Sequence, residues 1–282
     1  MIRSNYHIHS TYCDGRDSME AMARAACASG LDHIGFSSHA PLKYPESDWT
    51  LARDRLDDYF ANIAVLAEAY RPQMAIAKSL EVDYYLDDGG LSPEMEALVP
   101  QLDYWIGSIH CMGALADGRE ASIDYTMENM EAGIAHCFGG DVRRLVKAYY
   151  RGIADLALRF RPDILGHFDL IKKNNEEGCL FDEEADWYIK AWQEALDAIA
   201  ESGVIVEINT GGLIRFGKRC LYPSWPMIEE IYRRHIPITV NGDSHSVEGI
   251  AYAYPQMAER LKAIGFQGIM ILDGGEWHLS DF

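Results

Sequence analysis

Positive charge is scarce in this chain: 25 lysines and arginines stand against 44 aspartates and glutamates in 282 residues, a net charge of −19. Such a surface repels a polyanion, so in the absence of a basic patch a nucleic-acid partner is not expected. Long apolar runs are missing too. None reaches the roughly 18 residues that a membrane-spanning helix needs. Met1-Ile2-Arg3 leads straight into a strand-like run, leaving no space for a signal peptide. A cytoplasmic location without membrane contact is the expectation. The six cysteines (Cys13, Cys27, Cys111, Cys137, Cys179 and Cys220) include no CxxC pair, so neither a disulfide framework nor a thiolate zinc cage is suggested. Polar low-complexity tracts are absent, and 48% of the residues are hydrophobic, which argues for a sizeable packed core.

What is present is an alternation of strand-like and helix-like segments from end to end. Strands are expected over 4–9, 33–38, 75–83, 103–110, 163–168, 203–209 and 237–243, with 267–272 as a possible eighth. The first helix is signalled by Ser18 as N-cap, by Met19, Met22, Ala23 and Ala26 on one stripe, and by Gly30 beyond its end. Two further stripes recur at helical spacing: Val142, Leu145, Val146, Tyr149, Ile153 and Leu156, then Tyr188, Trp192, Ala195, Leu196 and Ile199. Strict β/α alternation implies a parallel sheet, and seven or eight units over this length suggest a closed barrel within a single domain, 1–282. The stretch 111–140 reads as long and irregular, with five glycines. It follows a ligand-bearing strand, so it is read as a possible lid insertion.

Nine side chains of metal-ligand type fall at or just beyond the ends of these strands: His7, His9, Asp14, His39, Glu81, His110, His167, Asp243 and His245. They account for six of the ten histidines. Side chains two apart on a strand share a face, so His7 and His9 point the same way. That spacing returns at Glu81 and Asp83, at His167 and Asp169, and at Asp243 and His245. Each residue alone has an ordinary structural explanation. Together, at one end of several strands, imidazole and carboxylate form the donor mix that borderline divalent metals accept. Of the other histidines, His33 and His235 read as structural, His136 lies in the 111–140 stretch where it could meet substrate, and His278 lies in the tail.

Read in order, the motifs His7-Ile8-His9, Cys13-Asp14-Gly15, Ser38-His39-Ala40-Pro41, Glu81-Val82-Asp83-Tyr84, Gly107-Ser108-Ile109-His110, Gly166-His167-Phe168-Asp169, Glu207-Ile208-Asn209-Thr210 and Gly242-Asp243-Ser244-His245 resemble the polymerase and histidinol phosphatase (PHP) superfamily. Within it, the segments 166–173, 207–215 and 148–150 look most like histidinol-phosphate phosphatases. The resemblance implies a distorted (β/α)7 TIM-like barrel holding three divalent metal ions (Mn, Fe or Zn). One would take His7, His9, Glu81 and Asp243. A second would take His110 and His167 with Glu81 as a bridge, and the third Asp14, His39 and His245. Where relatives tend to carry arginines after the Gly-His-x-Asp motif, this chain has Lys172, Lys173, Asn174 and Asn175.

Three divalent ions against the carboxylates of Asp14, Glu81 and Asp243 leave net positive charge, which draws a phosphate ester into an otherwise acidic protein. Metal coordination lowers the pKa of bound water toward about 7, so hydroxide is available to attack phosphorus without a serine or cysteine nucleophile. Lys172, Lys173 and Arg215 are the expected phosphate-binding cations, with Lys218 and Arg219 behind them. Asp83 or Asp169 is expected to orient a ligand histidine or to pass a proton to the leaving group. The expected activity is that of a phosphomonoesterase acting on L-histidinol phosphate, a small-molecule partner, in histidine biosynthesis. The alternatives are a related phosphatase or phosphodiesterase acting on small nucleotides, and a non-catalytic metal-binding module. Oligomeric state is not legible.

Overall fold

The computed structural model describes every residue except Glu46, Lys218 and Arg219, together with all side chains other than those three and that of Phe216. The chain begins with β1 (Ser4–Ile8), α1 (Met19–Ala28), β2 (His33–Phe36), α2 (Leu56–Tyr70), β3 (Ala75–Lys78), β4 (Glu81–Asp83), α3 (Pro93–Leu98) and β5 (Ile106–Ser108). Next come β6 (Cys111–Ala114), β7 (Glu120–Ser122), α4 (Met127–Phe138), α5 (Val142–Asp155), β8 (Ile164–Leu165), α6 (Asp186–Ser202), β9 (Ile205–Asn209) and α7 (Gly211–Phe216). It ends with α8 (Trp225–Arg233), β10 (Ile238–Asn241), α9 (Tyr254–Ile264), β11 (Gly268–Asp273) and β12 (Glu276–Asp281). Among the described residues no helix is long and apolar enough to cross a membrane.

Two parallel sheets carry the molecule, one in the order β1-β2-β3 and the other in the order β10-β9-β8-β5-β4. Single parallel bridges link their margins, Ile8 with Ser244 and His39 with Glu81. All five residues of β1 and of β9 are buried, as expected of parallel strands covered on both faces. The helices form as their patterns dictate. Ser18 caps α1 by accepting from the Ala21 amide, and Met19, Met22, Ala23 and Ala26 are buried. Asp141 caps α5, whose Leu145, Val146, Tyr149, Tyr150 and Ile153 face the core.

Three expectations need correction. The run 75–83 is two strands, not one. The Tyr59 hydroxyl accepts from the Ser38 amide and donates to the Ser79 carbonyl, both at 3.0 Å, which holds the chain where it leaves β3 beside β2 and enters β4 beside β5. The eighth strand exists as β11, but it pairs antiparallel with β12 outside both parallel sheets. Gly274 and Gly275, with φ of 59° and 86°, supply the left-handed turn that a two-residue hairpin requires. The stretch 111–140 is a β6-β7 hairpin followed by α4, not an irregular loop. Gly133 there is no hinge: a Cβ would lie 2.4 Å from Met112 Cε, so its role is to let α4 sit close on β6. His136 is on α4, exposed, and does not line the cavity over the histidines.

Candidate metal centre

All nine candidate ligands come together in one cluster, carried by the parallel strands and the loops that follow them, with Glu81 at the middle. The first residue of β4, it is fully buried and accepts from the Ser108 hydroxyl at 2.6 Å. Its Oε2 faces His39 Nδ1 at 3.0 Å, His7 Nε2 at 3.1 Å and His9 Nε2 at 3.6 Å. Its Oε1 faces His167 Nε2 at 2.9 Å and His110 Nε2 at 3.5 Å. Asp243, at a left-handed φ of 41°, brings Oδ1 to 3.3 Å from His9 Nε2 and 3.7 Å from His7 Nε2. Nearer the opening, Asp14 lies 3.1 Å from His245 Nε2 and 3.8 Å from both His39 Nε2 and His9 Nδ1.

Around this cluster, three of the outward ring nitrogens are tied down. His7 Nδ1 bonds Glu207 Oε1 at 2.7 Å, His110 Nδ1 bonds Asp83 at 3.1 Å, and His245 Nδ1 donates to the Asp243 carbonyl at 3.0 Å. Each of these bonds fixes the ring with Nε2 pointed inward, and in the neutral imidazole that Nε2 is the acceptor. His7 Nε2, His9 Nε2, His39 Nδ1 and Glu81 Oε2 are buried side by side without a hydrogen bond. Buried acceptors facing one another without a donor are costly, and a divalent cation is what such a donor set accommodates. His9 with Asp14, His39 and His245, His7 with His9 and Asp243, and His39 with Glu81 and His110 each lie close enough to share an ion. The residues therefore fit divalent metals.

Electrostatics follow from this crowding. Burial resists charging His7, but Glu207, Glu81 and Asp243 outweigh it and hold its pKa well above the imidazole range. His110 is opposed by burial in the same way and carried up to about 10 by Asp83 and Glu81. His9 is driven down to about 3 by burial and by His245 and His39. Burial would raise the Glu81 carboxyl, yet His7, His39 and His110 hold it well below the carboxylate range.

Above the cluster opens a cavity of about 340 Å³ walled by Trp49, Asp124, Tyr125, Lys173, Arg215 and Tyr222 among others, within the roughly 300–1,000 Å³ that small-molecule sites span. Arg215 donates to Asp243 Oδ2 at 2.9 Å, and Lys173 to Asp124 Oδ2 at 2.9 Å. Lys172 is not brought to this mouth. Its Nζ pairs with Asp169 at 2.6 Å and donates to the Leu221 carbonyl at 2.9 Å, because the fully buried Asp169 requires a countercharge. The contacts of Asp169 are Lys172 and the Ser224 amide, with no ligand histidine among them, whereas Asp83 does bond one. Lys218 and Arg219 lie outside the described residues. Cys13 sits behind the ligands, 3.4 Å from His9 Nδ1, and Cys111 is buried in β6.

Sequence reasoning assigned no role to two residues here. Glu207 bonds His7 through Oε1 and accepts from the His167 amide, Asn209 and Asn241 at 2.9 Å each. Its carboxylate between Val206 and Ile208, inside a buried strand, was the available signal. Asp124 lies in the hairpin-helix segment, held well below the usual carboxylate range despite burial by Lys173, His110 and His167; nothing local in the sequence marks it. Glu207→Gln is expected to weaken metal affinity about 10–100-fold, measured by competition with a chromogenic chelator; unchanged affinity would show that His7 needs no partner. Gly166→Ala acts on the same network by sterics, since its Cβ would lie 2.4 Å from the Ser108 oxygen that bonds Glu81. We expect a loss of about 1–3 kcal/mol in denaturant unfolding together with reduced metal content; a variant of parental stability is the contrary result.

The chain is similar to known proteins over most of its length. Residues 5–211 match the PHP domain family. The chain is 28% identical over 275 residues to a histidinol-phosphatase of Bacillus subtilis, an alignment that covers 92% of this chain and 100% of that protein. Histidinol phosphate phosphatase (HISK) of Lactococcus lactis, solved as a complex with Zn, L-histidinol and phosphate, superposes with a TM-score of 0.73 at 20% identity over 98% of each chain. HisK of Listeria monocytogenes superposes with a TM-score of 0.76 at 24% identity, covering 90% of this chain and 99% of that one. With the match running from β1 to the end of β9, well over half of the sequence, this chain belongs to the PHP domain family.

Proposed function

We propose that this protein is a metal-dependent phosphomonoesterase that hydrolyses L-histidinol phosphate to L-histidinol and phosphate. The observation that carries the reading is the set of inward-facing, unbonded acceptors around Glu81 beneath a cavity lined by Lys173 and Arg215. The Bacillus subtilis relative, matched over its full length, suggests the substrate. Three ions of manganese, iron or zinc are proposed, held by His7, His9, Glu81 and Asp243, by Glu81, His110 and His167, and by Asp14, His39 and His245. When bound, such ions supply Lewis acidity that activates water and stabilises charge on phosphoryl oxygens.

The chain's own side chains are given the remaining tasks. Arg215 offers a planar fork and Lys173 a point charge to the phosphate. Asp83 and Glu207 keep His110 and His7 in register. Asp169 and Lys172, paired with each other away from the cavity wall, are assigned to its support. We read the two parallel sheets as one distorted (β/α)7 barrel in a single domain, supported by the bridges at both margins. The segment 111–140 is read as an insertion over the mouth, supported by Ser122, Asp124 and Tyr125 in the cavity wall. A cytoplasmic setting is part of the proposal, consistent with six unpaired thiols.

The test is kcat/KM for L-histidinol phosphate against nucleoside monophosphates and bis-p-nitrophenyl phosphate, on protein loaded with Mn²⁺, Zn²⁺ or Fe²⁺. A preference of about 100-fold or more for histidinol phosphate is expected, the scale set by leaving site polar groups unpaired with the wrong substrate. A nucleotide preference would reassign the substrate. Failure of fully metallated protein to release phosphate from any ester would leave a metal-binding module.

A further inference from the structure

On another face of the molecule, α5 and α6 leave a groove of about 360 Å³ between them, and none of its lining residues lines the cavity over the histidines. Its floor is small and apolar, formed by Ala154, Ala191 and Ala195. Its rim is cationic. Arg143, Lys147 and Arg151 come from α5 and Lys190 from α6. The three on α5 fall at i, i+4 and i+8, so they stand in one row over successive turns, about 12 Å from end to end at 1.5 Å per residue.

Like charges at that spacing repel, and this chain has 44 acidic side chains with which to relieve them. It does not do so here. Among the described residues neither Lys147 nor Arg151 has an ion pair or hydrogen-bond partner for its side chain. The one carboxylate in the lining, Glu194, lies 3.7 Å from Lys190. At the start of both helices the Arg143 guanidinium lies over the half-buried indole of Trp187, 5.1 Å from the ring centroid. The groove thus has an aromatic surface at one end and, at Lys147 and Arg151, positive charge that no carboxylate among the described residues pairs.

We propose that this groove binds a nucleoside di- or triphosphate, with the base against Trp187 and Arg143 and the phosphates along Lys147 and Arg151. A flat ring and two or more anionic groups on one small molecule satisfy both features, the ring through stacking and cation–π contact and the phosphates through charge-assisted hydrogen bonds. A long polyanion is disfavoured by the net charge of −19, while the volume suits a small ligand.

The probe is ADP, titrated calorimetrically into the metal-loaded protein with inorganic phosphate present to fill the metal mouth. One saturable site is expected. Lys147→Gln/Arg151→Gln should weaken it by about tenfold or more, on the scale of losing two charge-assisted contacts, and Arg151→Gln alone by a smaller factor. Arg24→Gln/Arg71→Gln, which removes the same charge elsewhere, should leave binding unchanged. Pyrophosphate should bind more weakly than ADP. Matched melting temperatures and unchanged phosphatase activity establish that the variants are folded. The proposal is overturned by the absence of saturable binding at millimolar ADP, by equal affinity in the groove variants, or by pyrophosphate binding as tightly as ADP.

Discussion

Glu81→Gln is expected to abolish most activity, lowering kcat/KM by roughly 10³-fold, and to reduce bound metal. The substitution keeps size and can keep the Ser108 hydrogen bond, so it isolates charge. Glu81 is fully buried and lies within 3.6 Å of His7, His9, His39, His110 and His167. Taking one charge from a buried, mutually compensated set costs about 3–5 kcal/mol, which corresponds to roughly 10²–10⁴ in rate when that charge is needed for the reaction. An amide also replaces one of the two oxygens on which five imidazoles converge with an N–H group, which cannot serve as a metal ligand. Elemental analysis and steady-state kinetics on the same preparation decide the matter. A variant that keeps its metal and more than about a tenth of parental kcat/KM removes Glu81 from the centre of the site.

Stripping the metal should have the next largest effect, on stability as well as activity. The cage packs four buried acceptors without hydrogen bonds, and a cation bound to the folded protein alone stabilises it by about 4 kcal/mol at a thousand times its Kd. Spread over a chain of this length, a loss of that size corresponds to a fall in Tm on the order of 10 °C. Chelation followed by calorimetry should show that fall, and re-addition of Mn²⁺ or Zn²⁺ should restore both Tm and phosphate release. If the stripped protein melts at the parental temperature, the orphaned acceptors have found partners of another kind and the case for a metal cage fails.

Most of the candidate site was legible in the sequence because the candidate ligands sit at or just beyond strand ends, where the local pattern is visible within a few residues. His7 and His9, Glu81 and Asp83, and Asp243 and His245 announce themselves by a spacing of two. Their supporting partners do not. Glu207 reaches His7 across 200 residues of chain, and Asp124 meets Lys173 across 49, distances over which no periodicity carries information. Lys172 and Lys173 show the same limit in a sharper form. Adjacent in sequence and equal in charge, they part in the structure, one held by Asp169 away from the mouth and the other by Asp124 within it.

By itself, then, the sequence determined the β/α order, the buried stripes of α1, α5 and α6, and which side chains are candidate donors, since these follow from side-chain chemistry and local period. Only the tertiary structure decided where 75–83 breaks, that 267–272 turns back on β12, that 111–140 folds as hairpin and helix, and which oxygen of which carboxylate faces which nitrogen. Those outcomes depend on hydrogen bonds between distant segments, such as Tyr59 between Ser38 and Ser79, and such bonds exist only after the chain has closed on itself.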